Sequence, residues 1–581
     1  MNTTRDEYYA RRILHETNTK NNTAMKKIYV LMLALCGAWI SAAACTNFIV
    51  GKGASTNGQT LISYAADSYT LYGFLKFQPA ADHQPGEMRQ INEWDTGKPL
   101  MQIPEVAHTY SVVGNMNEHQ LTIGETTWGG REELWGGTGI DYGSLIYVAL
   151  QRCKTAREAI ECITDLVETY GYCSEGESFS IGDPNEVWIM DLIGKGKDQK
   201  GAVWVAVRVP DDCIAGHANQ ARIREIPVKG AKKKGFRVTS KDGQWMWHKD
   251  VVALAREKGY FADKDDQKFS FQEAYNPFDF SGLYVCEARV WSFFRHFSDD
   301  MDKYLPYASG KTFMETGGKD AGEAFPLWIK PNRKVSTQDI KDCMRDQYEG
   351  TPLDITNKTA AGPWNSKLRY GGLGFKVDSV QYWYERPTAT QQTGWSFVAE
   401  MRGQENAKAG GIFWFGVDDA ACTVYVPMYC RITRVPRCME EGNGNLVTYS
   451  PTSAWWAFNM TANWAYTKYS KMYPELRREQ QKWEIRFNER VSLLDEQVAT
   501  LDDAAARELL TNYSDMQAEQ VTAAWKELFT YLMIKYLDGQ EKKTDENGAF
   551  LYNEYGEAQY PNRPACKEEY LRTIVSETAH E

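Results

Sequence analysis

The stretch "CTNFIVGKGASTNGQTLISYAAD", Cys45 to Asp67, decides how this chain folds. Both of its ends are rich in residues suited to strands, and "ASTNGQ" between them carries an Asn-Gly turn signal, so the stretch reads as a β-hairpin. With the loop centred between Thr56 and Gly58, facing residues sum to about 112 to 115, which puts the partner of Cys45 between Asp67 and Thr70. Asp67 is therefore expected beside Cys45.

What precedes the hairpin gives Cys45 its interest. Met25 to Ala44, "MKKIYVLMLALCGAWISAAA", runs from two lysines through an apolar segment, Ile28 to Ile40, to small residues. That is the layout of a secretory signal peptide. The apolar segment has about thirteen residues, short of the roughly 20 that a membrane-spanning helix needs. Ala42 and Ala44 supply the A-x-A cleavage pattern, so cleavage would make Cys45 the N-terminal residue. Met1 to Ala24 are polar, and translation is expected to start at Met25. Residues 1–44, a spurious extension plus the signal, are thus expected to be removed. A lipoprotein signal also ends in a cysteine, but it usually has a branched apolar residue three positions earlier, where this chain has Ala42. Simple cleavage is favoured over lipidation of Cys45.

Cleavage would leave about 537 residues, enough for one large domain with an appendage. The formal net charge of -11 is made of interspersed signs, without the basic footprint of a nucleic-acid binder. Twelve cysteines are scattered without a C-x-x-C, and eight histidines without an H-E-x-x-H. Neither a G-x-S-x-G elbow nor a G-x-x-x-x-G-K-[ST] loop occurs. No metal or cofactor is expected.

Hairpins continue in Thr109–Thr126 and Ser178–Leu192, followed by a strand in Gly201–Asp212. Between the hairpins, Thr155 and Glu158 fit a capping box, and Ile160, Ile163, Leu166, Val167 and Tyr170 recur at helical spacing. Such a helix is built to lie on a sheet. A further β-rich region, Gly394 to Tyr429, is expected to supply a second sheet. After about Thr461 the chain turns to long charged helices, including Pro474–Thr500 and Ser514–Leu537, expected to serve as a cover or oligomerisation element. The division is thus a catalytic domain over 45–460 and a helical extension over 461–581.

An N-terminal cysteine has its own chemistry. Its nitrogen becomes an α-amine with an ordinary pKa of about 7.7 to 8.0, so one residue holds a thiol nucleophile and a base. Attack on an amide carbonyl gives a thioester, which water activated by the same amine releases. Asp67 is a candidate to hold the amine, or else a turn-capping aspartate. Asn117, in "GNMNEH", is a candidate oxyanion donor, or an asparagine kept for its turn. Glu125, in "GETTW", is a candidate contact for a substrate ammonium, or a buried structural carboxylate.

These residues resemble the cysteine-type dipeptidases of the N-terminal-nucleophile (Ntn) hydrolase superfamily, relatives of penicillin V acylases and bile salt hydrolases. The resemblance spans roughly Cys45 to Met460 and is carried by "CTNFIVGKGAS", "YAADS", "GNMNEHQLTIGETTW", "YGYCSEGESFSIGDPNEVWIMD", "WVAVRVPDDCIAGHANQARI", "RDQYEGTPLD" and "WFGVDDAACTVYVPMY". It implies an α+β fold, an αββα sandwich of two antiparallel sheets, and metal-free hydrolysis of dipeptides. It also implies Cys45 as nucleophile, Asp67 near it, and Asn117 and Asn219 around the oxyanion and amine. A later arginine is expected too, with Arg289 in "CEARVW" the candidate and Arg208 and Arg222 its alternatives. The acylases often carry an arginine three residues before the aspartate; here that residue is Tyr64.

The leading expectation is an exported dipeptidase, periplasmic or extracellular, matured by signal peptidase, with short-peptide substrates and a possible homo-oligomer. The alternatives are an Ntn amidase for N-acyl amides and a non-catalytic surface lipoprotein anchored at Cys45. For the latter, the aromatic run "SAWWAFNMTANWAY", Ser453 to Tyr466, would be a glycan platform, although such spacing is more often core.

Overall fold

The computed structural model describes residues 45–403 and 407–578; the expectations for residues 1–44 lie outside them. The opening hairpin is present as β1 (Thr46–Val50) and β2 (Thr60–Asp67), paired antiparallel with Thr46 opposite Ala65. Facing residues sum to 111, so Cys45 stands opposite Ala66, one residue short of the expected partner. The tight Asn-Gly turn gives way to a wide loop because its backbone bonds elsewhere. Gly51 N–H donates to Cys213 O, Ala54 N–H to Asp211 O, and Thr56 N–H to Val335 O.

The second sheet begins with β3 (Thr122–Trp128), and the chain then forms α1 (Tyr142–Arg152) and α2 (Ala156–Tyr170). The Thr155–Glu158 capping box is formed as expected. Ile160, Ile163, Leu166 and Val167 are buried against Phe179, Ile181, Met190 and Trp204 of the sheet. Each contributes on the order of 1.5–3 kcal/mol by leaving water. Strands β4 (Gly176–Gly182), β5 (Val187–Gly194) and β6 (Ala202–Arg208) follow in antiparallel order, and β7 (Ile214–His217) crosses back to pair with β1. Helix α3 (Ala288–Arg295) lies on the far side of β1, with Phe293 stacked on Phe48 at 4.1 Å between ring centroids.

The β-rich region after Gly394 forms β8 (Thr393–Met401), β9 (Ile412–Val417) and β10 (Val426–Tyr429), but it does not build the second sheet. Strand β8 pairs with β2, Tyr64 opposite Phe397. Among the described residues the first sheet therefore runs Trp328–Ile329, β7, β1, β2, β8, β9, β10. The second holds β6, β5, β4 and β3, extended at both ends by shorter strands. Local pattern shows that β2 is buried; it does not name a neighbour more than 300 residues away.

All the described pairings in both sheets are antiparallel, and the two sheets face each other. His217 Nδ1 and Nε2 bond Thr126 Oγ1 and Ser180 Oγ, each at 2.7 Å, and burial pushes the imidazole down to about 3, so it is neutral at physiological pH. Thr60 Oγ1 donates to Asp183 O at 2.6 Å across the same gap.

The C-terminal helices are α4 (Ala454–Tyr466), α5 (Tyr469–Ala499) and α6 (Asp503–Tyr536). The expected boundary at 460 thus falls inside α4. Helix α6 begins earlier than expected because Asp502 caps it, accepting from Ala505 N–H. Gln480 donates to Ala421 O and Thr423 O, buried Glu484 pairs with Arg345, and Ser514 donates to Pro427 O. The tail is bonded into the same compact unit as the sheets. The Ser453–Tyr466 aromatics are largely packing, with Phe458 stacked on Trp525 at 4.7 Å. Among the described residues no helix is long and apolar enough to cross a membrane.

Candidate active site

Cys45 immediately precedes β1, so its surroundings are set by both faces of the first sheet. Residues opposite each other in an antiparallel pair share a face. Cys45 therefore shares the inner face with Asn47, Tyr64 and Ala66, while Thr46 and Phe48 face the helix layer. The thiol is buried between the sheets, at 1 % exposure. It lies 3.4 Å from Tyr64 Oη and donates to Glu125 Oε1 at 3.6 Å; Tyr64 Oη also donates to Glu125 Oε1, at 2.6 Å.

The main chain of Cys45 is held from the other side. Arg289, fully buried on α3, donates to Cys45 O at 2.6 Å and to Thr46 Oγ1 at 2.8 Å. Its second terminal nitrogen donates to Ala218 O and to Asn219 Oδ1, at 3.1 and 2.9 Å. Of the three candidate arginines, Arg289 is the one at Cys45. Arg208 pairs with Glu186 and Asp211, and Arg222 with Glu287. Asn219, just after β7, donates to Thr127 O at 2.5 Å, and Asn47 of β1 donates to Glu125 O at 2.6 Å, so two asparagine amides hold β3 against the first sheet.

That register leaves no room beside Gly124, where an added Cβ would lie 2.2 Å from Asn47 Oδ1. Gly124→Ala is expected to displace β3 and move Glu125 away from the thiol. A misplacement of ~1 Å costs on the order of 100-fold in kcat/KM. Steady-state kinetics of the variant, with circular dichroism as a fold control, checks this.

Burial pushes the Cys45 thiol well above its ordinary pKa, with Glu125 and then Asp67 adding to the effect; the Tyr64 hydroxyl and the Asp67 backbone amide oppose it. Glu125 is itself pushed up by burial to about 7. Asp67 forms a buried ion pair with Arg386, Oδ2 to Nη2 at 2.5 Å, and accepts from Thr393 Oγ1 at 2.6 Å. Burial still raises its carboxyl pKa, against the pull of Arg386.

Asn117 takes a different role from the expected one. Its amide donates to Leu150 O and Cys153 O, both at 2.7 Å, and its Oδ1 accepts from the N–H groups of His119 and Leu121. Both amide hydrogens are spent on holding its turn to the end of α1, so none is left for an oxyanion. Glu125, expected to meet a substrate ammonium, lies against the thiol itself. Sequence reasoning missed Arg386, 319 residues from its partner Asp67. It also missed Glu177, next to Glu125 across β3 and β4, and treated Tyr64 only as a departure. No local signal marks Arg386 or Glu177; a tyrosine on the inner face of the hairpin was the available clue to the third. Among the described residues no three His, Cys, Asp or Glu side chains are grouped to hold a metal ion.

A buried thiol with a carboxyl on one side and a main chain gripped by arginine on the other can act as a fixed nucleophile. Comparison with known proteins places the chain among peptidases. The model of peptidase family C69 matches residues 87–482. A probable dipeptidase of Salmonella dublin is 24% identical over 451 residues, covering 74% of this chain and 90% of that protein. A dipeptidase of Bifidobacterium longum (strain NCC 2705) is 22% identical over 516 residues, 82% of this chain and 87% of the relative. Dipeptidase A of Lactobacillus helveticus is 22% identical over 458 residues, 74% and 84%.

Proposed function

The chain belongs to peptidase family C69, a family of cysteine peptidases of the Ntn-like superfamily, and we propose that it is an exported dipeptidase whose nucleophile is Cys45. In this reading signal peptidase removes residues 1–44. The thiol attacks the peptide carbonyl to give a thioester, and the Cys45 α-amine, as general base, activates the water that hydrolyses it. Arg289 fixes the main chain of Cys45, Asp67 stands by the new amine, and Asn219 is the amide for the oxyanion. The two facing antiparallel sheets with helices against each support an Ntn-type αββα arrangement.

The observation that carries the reading is the seat of Cys45, a buried thiol at a strand start, bonded to Glu125 and Tyr64, with its carbonyl held by Arg289. A site faced by carboxyls suits a substrate with a free ammonium group better than an N-acyl chain. A diacylglycerol thioether on a sulfur buried between two sheets would have to pull Cys45 out of its seat, which weighs against the lipoprotein reading.

Intact-mass and N-terminal peptide mass spectrometry on protein from its native host tests this. The expected species begins with unmodified Cys45 and hydrolyses dipeptides. A thioether-lipidated, N-acylated Cys45 would sink the mechanism.

A further inference from the structure

Away from the active site, two thiols meet where the helices on the second sheet join. Cys153 caps the C-terminal end of α1, and Cys162 lies in the second turn of α2. Both are free thiols. Cys153 is buried in the core of that layer, at 5 % exposure, and Cys162 packs against the same core from a part-exposed position. Their side chains hydrogen-bond each other, which puts the two sulfurs within reach of a covalent bond. Cys45, Cys213 and Cys430 instead meet oxygen: Cys45 faces Tyr64 and Glu125, Cys213 donates to Asp212 Oδ1 at 3.6 Å, and Cys430 to Glu118 O at 3.9 Å.

The two thiols differ in how firmly they hold their protons. Cys153 donates to Cys162, and that bond, followed by burial, raises the pKa of Cys153. The same bond lowers the pKa of Cys162, helped by Arg152 and Arg237 against burial and Asp165. Both cations are fixed in place. Arg152 ends α1 and pairs with Glu105 at 2.8 Å, while Arg237 pairs with Asp165 at 2.6 Å and donates to Thr164 Oγ1 and Glu161 O of α2. The thiolate is the attacking form, so the reachable sulfur beside two guanidinium groups is the reactive one of the pair.

We propose that Cys153 and Cys162 are a redox-active dithiol, closed to an intramolecular disulfide by exchange with a disulfide-bearing oxidant, Cys162 attacking and Cys153 resolving. In the first step the Cys162 thiolate bonds one sulfur of the oxidant as the oxidant's own S–S bond breaks, and the other oxidant sulfur leaves as a thiolate. In the second, Cys153 releases its proton to solvent and attacks Cys162 Sγ, expelling the remaining oxidant sulfur. The two cysteines lose two electrons and two protons, and the oxidant's disulfide becomes two thiols. An oxidising compartment supplies such oxidants, and a reducing one keeps the pair open. The bridge would act on a structural anchor. Asn117 fastens its turn to Leu150 O and Cys153 O, and the chain leads from there into β3, which carries Glu125 to Cys45. Joining Cys153 to Cys162 ties that anchor to the body of α2. The inference requires neither export nor Cys45 as the nucleophile.

The test treats the folded, reduced full chain with oxidised glutathione, without denaturant, and maps it by mass spectrometry. Cleavage after Glu161 and Glu168 separates Cys162 from Cys173. Wild type is expected to give a peptide pair joined through Cys153 and Cys162, lighter than the free peptides by two hydrogen atoms. Cys153→Ser is expected to stop at a glutathione adduct on Cys162, and Cys162→Ser to leave Cys153 a free thiol. In the reduced wild-type chain, iodoacetamide is expected to alkylate Cys162 about tenfold faster than Cys153 or more. Circular dichroism confirms the fold of each variant. Two free thiols after treatment of wild type, a glutathione adduct that persists on its Cys162, or an adduct on Cys153 in Cys162→Ser would each overturn the proposal. Should a serine variant not fold, the linked peptide and the alkylation rates of wild type decide by themselves.

Discussion

Cys45→Ala is expected to lower kcat/KM for dipeptides by about 10⁴-fold or more while leaving the fold intact. The substitution removes one sulfur atom from a residue whose main chain is secured independently, by Arg289 at Cys45 O and by the pairing of β1 with β2 and β7. Tyr64 Oη keeps its bond to Glu125, so no new donor is left without a partner. The stability cost is that of a small cavity, on the order of 1 kcal/mol. Activity disappears because, among the described residues, Cys45 is the thiol bonded to Glu125. Progress curves with excess variant, alongside thermal unfolding, make the comparison. A variant retaining a tenth of the wild-type rate would mean that the chemistry lies elsewhere.

Arg386→Ala is expected to cost about 3–5 kcal/mol of stability, the range for removing one partner of a buried ion pair. Arg386 is 1 % and Asp67 0 % exposed, so the orphaned carboxylate would have no water to turn to. The loss should depend on pH, and its sign follows from Asp67. Burial already raises the folded-state pKa of Asp67 above its ordinary value, and Arg386 is the main group opposing that rise. Without Arg386 the pKa climbs further. A carboxyl with a raised folded pKa contributes stability at low pH that is lost as pH rises through that pKa. The deficit of Arg386→Ala is therefore expected to be largest near pH 8 and to shrink towards pH 4. Denaturant midpoints at the two ends of the range measure it, with Asp67→Asn/Arg386→Ala expected to recover part of the loss at pH 8. A deficit that is the same at both ends, with no recovery in the double variant, would mean that the pair is not what holds this corner.

Much of this organisation is legible in short stretches of the chain. The two strands of the opening hairpin, the Thr155–Glu158 cap and the apolar face of α2 follow from patterns a few residues long, and these elements form. The expectation that cleavage exposes Cys45 rests on the order of charge, apolar run and small residues before it, which lie outside the described residues. Where local reading fails, the reason is a bond made from far away. The loop after β1 bonds to residues 211, 213 and 335, which shifts the register by one and makes Ala66 the partner of Cys45. Asn117 looks like an available amide until the end of α1 takes both its hydrogens.

The sequence by itself determined the antiparallel strand pattern, the helical tail and the capped helix against the second sheet, because each depends on periodicity or caps within one segment. Only the tertiary structure decided what surrounds Cys45. Glu125 comes from 80 residues away, Arg289 from 244, and the Asp67–Arg386 pair spans 319. Burial then determines how these groups ionise. The protonation of a carboxyl depends on the water and charges removed around it when two sheets close, and no stretch of sequence carries that sum.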